Sequence, residues 1–516
     1  MINTLTDILI NANKKFPNNE AFKCGKNTLT FKELQKKTDQ LAKHLQDVGV
    51  KKGDRVGIYM ERSIESVIAV YGIMKTGAAF VPLDPTTPIT RTVFLLNDCG
   101  IEHLVTTKLQ SKKVTKILNE EQVLTSIIGF EKELKISVTS WNTIYNISLV
   151  TYIPVEIEKN DLAYIMYTSG STGAPKGIMH THFSGLNYAK LSSELYNISE
   201  KDRVANLPPL HFDQATFGYF SSPLACACTV IIPDAYTKLP ASLSKLIEDE
   251  KITIWYSVPL ALIQLLQKGI LEDRNLTSLR WVLFGGEVFI TKYLYQLMKK
   301  WPQATFCNVY GPAEVNQCTY YHLNSKSKPQ DPIPVGHIWN ETSYKILDKN
   351  DAEVLQGESG ELVVKTTTMM AGYWNNEALT NTSFYKEGKS VYYRTGDIFN
   401  LNKIGELIFL GRNDFQVKIR GYRIEISEVE AVIANHENVD EVAVFAIETL
   451  NGEKELTAVI LLKQGKELDN KLLMSYCKKL LPSYSIPSRI NIMKDFPRTS
   501  SAKIDRGAIK KILIEA

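Results

Sequence analysis

The sequence has no apolar run near the roughly 20 residues needed to span a bilayer, which excludes a helical membrane protein. It has no CxxC pair. Its seven cysteines, at 24, 99, 226, 228, 307, 318 and 477, are scattered and odd in number. That argues against a disulfide framework or a zinc site and favours a reducing compartment. Charge of one sign is also missing: 60 basic against 56 acidic residues leave a net charge of +4. So small an excess predicts no nucleic-acid partner and no polybasic membrane role. The N-terminal MINTLTDILINANKKF puts its lysines after the apolar stretch, the reverse of a secretory signal. A cytoplasmic protein is expected. Internal repeats and low-complexity tracts are absent too.

What is present is the balance of a globular protein, 44% hydrophobic and 22% charged, over 516 residues. That length predicts a large composite domain plus a smaller one. Leu5, Ile8, Leu9 and Ala12 fall at helical spacing. Thr30 and Glu33 form a capping-box pattern ahead of a Leu34, Leu41, Leu45 stripe that Gly49 can end. The buried-strand stretch DRVGIYM (54–60) precedes the helical SIESVIAVYGIMKTG, and alternation continues through IEHLVTT, TVIIP, ITIWYSV and SLRWVLFGG. Such alternation predicts α/β layers with largely parallel strands. After about residue 330 the segments ETSYKILDK, GELVVKTT, SVYYRTGDIF and GELIFLGR are short and β-rich, which predicts a compact β subdomain. Past Arg412, NDFQVKIRGYRIE leads into a helix with Ser427 and Glu430 as its expected capping-box pair. Strands VDEVAVFAIE and ELTAVILLK follow, completing a small α+β domain. The expected division is 1–412 and 413–516.

The apolar strand LAYIMY (162–167) runs into TSGSTGAPKG (168–177), with four hydroxyls, three glycines and one lysine. Gly170, Gly173 and Gly177 let backbone N–H groups approach an anion. Thr168, Ser169, Ser171 and Thr172 add donors, and Lys176 adds positive charge. This is oligophosphate chemistry, but it is not a Walker loop. Counted from Gly170, the second glycine position holds Pro175, and Gly177 follows Lys176. A P-loop NTPase is disfavoured while ATP is not.

This loop resembles the phosphate loop of the adenylate-forming superfamily, which includes acyl-CoA synthetases, luciferases and the amino-acid adenylation domains of nonribosomal peptide synthetases. Ten ordered stretches carry the resemblance along nearly the whole chain. They are LTFKELQKKTDQLA, MKTGAAFVPLDP, LAYIMYTSGSTGAPKG, FDQAT, NVYGPAE, GELVVKTTTMMAGYW, YRTGDIF, GRNDFQVKIRGYRIEISEVE, LPSYSIP and SSAKIDR. The second, fourth and eighth favour the amino-acid-activating branch.

The resemblance implies two half-reactions. A carboxylate attacks the α-phosphorus of ATP, giving an acyl-adenylate and pyrophosphate; a thiol then attacks the acyl carbon and AMP leaves. Bringing an anion onto a polyanion calls for cations and oriented donors more than for a base. Lys503 matches the family's catalytic lysine, and Glu314 its Mg2+ ligand, a hard oxygen donor for a hard cation. The resemblance places Tyr310 near the adenine, Asp397 on the ribose hydroxyls and Arg412 beside it. Gly286, Glu287, Asn308 and Gly311 complete the expected ATP set. One departure stands out: the family usually has threonine before the glutamate, and this chain has Ala313.

Asp213 in FDQAT matches the aspartate that pairs with a substrate ammonium, a charge that ligases for fatty or aryl acids do not need. Motif alignment lines the pocket with Gln214, Phe217, Tyr256, Leu283, Gly285, Val309, Gln317 and Cys318, of which Tyr256 lies in a segment without a motif. Tyr256, Leu283, Gly285, Val309 and Cys318 resemble the lining of ligases that load proline onto carriers; Gln214, Phe217 and Gln317 depart from it. Two amides in a small pocket need partners. Proline and a small or medium polar L-amino acid both remain open. Asp414 matches the family's hinge, about which a mobile C-terminal domain rotates, and Gly421 the thiolation tunnel. No carrier segment follows Ala516 and no condensation domain precedes Met1. A free-standing enzyme is therefore expected, serving a separate carrier protein through its phosphopantetheine arm. The alternative is an acyl- or aryl-CoA ligase of the same superfamily.

Overall fold

The computed structural model describes residues 2–170, 174–327, 332–414, 416–449, 454–498 and 504–515. The chain divides into two compact units. The first comprises Met1–Pro85, Leu96–Tyr167 and Gly177–Asn413. The second comprises Thr86–Leu95, Thr168–Lys176 and Asp414–Ala516. Among the described residues no helix is long and apolar enough to cross a membrane.

The alternation read from the sequence becomes two large sheets in the first unit. One has nine strands. At its centre Cys228–Ile231, Arg203–Asn206, Ile254–Ser257, Trp281–Gly285 and Thr305–Tyr310 run parallel. Thr319–Leu323 pairs antiparallel beyond Thr305–Tyr310. The other sheet has eight strands, with Arg55–Tyr59 parallel to both Ala79–Leu83 and His103–Thr106. The helix Ile64–Met74 is apolar nearly all round, so it can only be stable inside, and all but one of its residues are buried. It joins Asp7–Lys15 and Phe31–Asp47 in a core that also takes Phe22 and Ile231 of the first sheet and Val56, Phe80 and Tyr164 of the second. The Thr30–Glu33 capping box forms as read, and its helix ends at Asp47. A third sheet, of five strands, is built on Ser390–Leu401, which pairs with Gly360–Lys365, Phe384–Glu387 and Leu407–Arg412.

The second unit is α+β. Val439–Glu448 and Lys454–Leu462 pair antiparallel, and Arg489–Ile492 adds in parallel. Helices Ile426–Ala434 and Asn470–Leu480 cover this sheet through Val429, Ile433, Leu473 and Cys477. Ahead of them Gln416–Ile419 pairs with Tyr422–Glu425 across a two-residue turn. Both turn residues, Arg420 and Gly421, have positive φ (+55° and +81°), as a mirror-image turn requires. One expectation is corrected here. Ser427 and Glu430 form no capping box, because the helix starts directly from the strand, with Glu425 at its N-cap and no side-chain cap. Ser427 is already inside the helix. Glu430 instead accepts the Val444 N–H at 2.7 Å and pairs with Arg506.

Candidate functional site

Strand register builds the pocket face of the first unit. Tyr256 lies beside Leu283, which lies beside Cys307, and Gly285 lies beside Val309. Side chains alternate along a strand, so Leu283 and Gly285 share a face, as do Cys307 and Val309. Tyr256, Leu283, Cys307 and Val309 pack in one buried cluster with Phe217. The opposite face, with Trp255, Val282, Phe284 and Phe306, belongs to a separate core. Phe217 opens a π-helical turn, Phe217–Ser221, a local irregularity frequent at functional sites. Its ring meets that of Tyr256 edge-on at 5.6 Å. Gly285 is required by a close approach: a Cβ there would lie 2.3 Å from the Val309 carbonyl oxygen.

Asp213 sits at the mouth of that turn. Its carboxylate accepts the Gln214 N–H at 2.9 Å, and its carbonyl accepts the Thr216 hydroxyl. The buried phenols of Tyr164, Tyr188 and Tyr256 are all pushed up, first by burial and in each case also by the charge of Asp213. Of the two amides that depart from the proline-loading pattern, Gln317 donates to the Tyr256 hydroxyl at 2.7 Å. Cys318 stands apart from the other lining residues. It packs with Tyr310 and Val315 in the core that reaches the five-stranded sheet.

A second constellation forms where Thr305–Tyr310 ends. Tyr310 donates its hydroxyl to Asp397 at 2.6 Å, and Arg412 pairs with the same carboxylate. Strand pairing sets Asp397 opposite Arg412. Burial, then the Asp397 charge, pushes the Tyr310 phenol well above its ordinary value, so it remains a donor. Asn308 is fixed by its donation to the Pro334 carbonyl at 2.8 Å. Gly286 takes φ +92° just past the neighbouring strand, with Glu287 next to it. Gly311 brings the following loop close, since a Cβ there would lie 2.2 Å from the Asn316 carbonyl oxygen. That loop carries Glu314, fully buried, whose carboxylate accepts the Tyr373 hydroxyl at 2.8 Å. His180 Nε2 donates to the carbonyl of Ala313 at 2.9 Å. Tyr373 and His180 were not foreseen as site residues, although Tyr373 lies in the quoted stretch GELVVKTTTMMAGYW and His180 just past LAYIMYTSGSTGAPKG.

A family model described as AMP-binding enzyme matches residues 9–374, and one described as AMP-binding enzyme C-terminal domain matches 428–503. The chain belongs to the AMP-binding enzymes. Gramicidin S synthase 2 of Aneurinibacillus migulanus is 32% identical over 503 residues, 96% of this chain but 11% of that protein. The chain thus spans about a tenth of that relative. An L-proline--[L-prolyl-carrier protein] ligase of Pseudomonas fluorescens is 29% identical over 96% of this chain and 97% of its own. Among solved structures, the o-succinylbenzoate CoA synthetase MenE of Bacillus subtilis superposes with a TM-score of 0.84 at 25% identity, over 98% of both chains. This AMP-binding enzyme has the fold of the adenylate-forming superfamily.

Other expected site residues of this AMP-binding enzyme fall in the second unit. Ser169 donates to the Arg423 carbonyl at 2.8 Å and accepts the Glu425 N–H at 3.2 Å, both within that unit. The buried Thr168 hydroxyl has no partner among the described residues. Gly170 is buried and Lys176 half-buried. Asp414 is exposed, and its carboxylate accepts the Gln416 N–H at 3.1 Å. Gly421 is the second residue of the hairpin turn. Ser171, Thr172, Gly173 and Lys503 lie outside the described residues.

Proposed function

We propose that this enzyme activates an amino acid with ATP, releasing pyrophosphate, and passes the aminoacyl group to the phosphopantetheine thiol of a separate carrier protein. The carrying observation is Asp213, which stands just ahead of the turn Phe217–Ser221 that brings Phe217 against the Tyr256 ring. An ammonium there would pair with that carboxylate, a partner that a fatty or aryl acid does not bring. Similarity to the proline–carrier ligase supports the same branch.

Asp397 takes the ribose hydroxyls, Tyr310 presents its ring to the adenine, and Arg412 holds Asp397 in place. The donors of loop 168–177 cradle the β- and γ-phosphates. Glu314 fits a magnesium site: it is a buried oxygen donor positioned by Tyr373, and an ion shared with phosphates needs only one or two protein carboxylates. Bound there, Mg2+ would offset phosphate charge. Lys503 is the cation that the family resemblance assigns to the substrate carboxylate. The substrate's carboxylate oxygen bonds to the α-phosphorus as the bond to pyrophosphate breaks. In the second step sulfur bonds to the acyl carbon and AMP departs with the bonding pair. Proline and a small or medium polar L-amino acid are the candidate substrates.

The test is ATP–pyrophosphate exchange across the common amino acids, β-amino acids and cyclic ones, followed by loading of a phosphopantetheinylated carrier. One preferred amino acid, with AMP released on carrier addition, is expected. Exchange supported only by acids lacking an amine would move the enzyme to the CoA-ligase reading. A β-amino acid as winner would overturn the pairing of Asp213 with an α-ammonium.

A further inference from the structure

The hydrogen bonding around Tyr256 is incomplete in one specific way. Gln317 and Tyr256 are both buried, at 3% and 4% exposure. Gln317 spends its Nε2–H on the Tyr256 oxygen at 2.7 Å. In that arrangement Oε1 is left as an acceptor. Oε1 is buried and has no hydrogen-bond partner among the described residues. Native structures rarely leave a buried carbonyl oxygen orphaned, so such an atom calls for an explanation. Meanwhile the phenol, held protonated by burial and by the Asp213 charge, receives the Gln317 N–H and keeps its own O–H to give. One donor and one acceptor thus sit side by side. The lining residues Gln214, Phe217, Leu283, Gly285, Val309 and Gln317 bring no charge to pair with an ionised side chain.

We propose that Tyr256 and Gln317 select an L-amino acid whose neutral side chain both donates and accepts a hydrogen bond, a hydroxyl or a primary carboxamide. Such a group donates to Gln317 Oε1 and accepts from the Tyr256 hydroxyl. Proline and the aliphatic amino acids can do neither. This rests on the amino-acid-activating reading above and narrows its two candidate classes to one.

The experiment is pyrophosphate exchange with near-isosteric pairs, threonine against valine and asparagine against leucine, with glutamine, serine and proline alongside. A site built to hydrogen-bond its substrate should prefer one polar member over its apolar partner by about 10³-fold or more in kcat/KM. Which pair shows the preference separates hydroxyl from carboxamide. Gln317→Leu should shrink that preference to within about tenfold, the scale of a merely apolar pocket. Tyr256→Phe supplies the same comparison should Gln317→Leu fail to fold. Proline or an aliphatic amino acid as best substrate would overturn the proposal, as would a preference unchanged in both variants. Exchange only with acids lacking the α-amine is a different failure: it removes the amino-acid reading itself.

Discussion

Lowering the pH from 7.5 to 5.0 should cost this protein several kcal/mol through two buried histidines that lie two residues apart. His180 ends in the interior on strand Lys176–Thr181, its ring stacked on Tyr164 at 4.9 Å between Ser184 and the Ala313 carbonyl. His182 is fully buried at the start of helix His182–Leu195, where its Nδ1 accepts the Leu5 N–H. An N-terminal helix position also disfavours a positive ring. Burial brings both from the usual 6.5 down to about 4. Unfolding returns them to 6.5, so between these values the unfolded chain binds more protons. Stability is therefore complete above 6.5 and falls as pH drops toward 4. At pH 5.0 a shift of that size costs on the order of 2 kcal/mol per ring, and about 4 kcal/mol for the pair. The assay is the denaturant midpoint at pH 7.5 and 5.0 for the wild type and for His180→Gln. The variant should be the less stable protein at pH 7.5, yet lose about 2 kcal/mol less than wild type on acidification. Equal acid losses in the two proteins would refute the reasoning, since His180 would then titrate alike folded and unfolded.

Other predictions address the two constellations. Gly285→Ala puts a methyl group 2.3 Å from the Val309 carbonyl oxygen, so adjacent strands must part. A destabilisation of about 1–3 kcal/mol should appear as a lower melting temperature, with slower exchange; an unaltered melting temperature would contradict the close approach. Tyr373→Phe removes the hydroxyl held by the buried Glu314 carboxylate. It should cost about 1.5–3 kcal/mol in stability and change the Mg2+ concentration for half-maximal exchange. An unchanged Mg2+ requirement would end the case for Tyr373 as a positioning residue.

Fold class was legible because the residues speak locally. The Thr30–Glu33 capping box and the apolar alternation predict elements that need no distant partner to be recognised. Ser427 and Glu430 carried the same local pattern and misled. Glu430 had a stronger use, bonding a backbone N–H fourteen positions away in the strand Val439–Glu448, and tertiary contact overrode the cap. Motif alignment named the expected pocket residues, and strand register brings Tyr256 beside Leu283, although no motif marked Tyr256. Its hydrogen bonding was not readable. Gln317 and Tyr256 are 61 residues apart, and nothing in either neighbourhood announces that one satisfies the other. The placement of Cys318 was equally hidden. Adjacent in sequence to Gln317, it packs in the other core.

The central claim is that Asp213 makes this an amino-acid-activating enzyme. Its most direct test compares Asp213→Ala with wild type in pyrophosphate exchange, using the preferred amino acid and its deamino counterpart. The account predicts robust exchange by wild type with the amino acid alone, abolished in the variant. Exchange by wild type with the deamino acid, undiminished in Asp213→Ala, would contradict it.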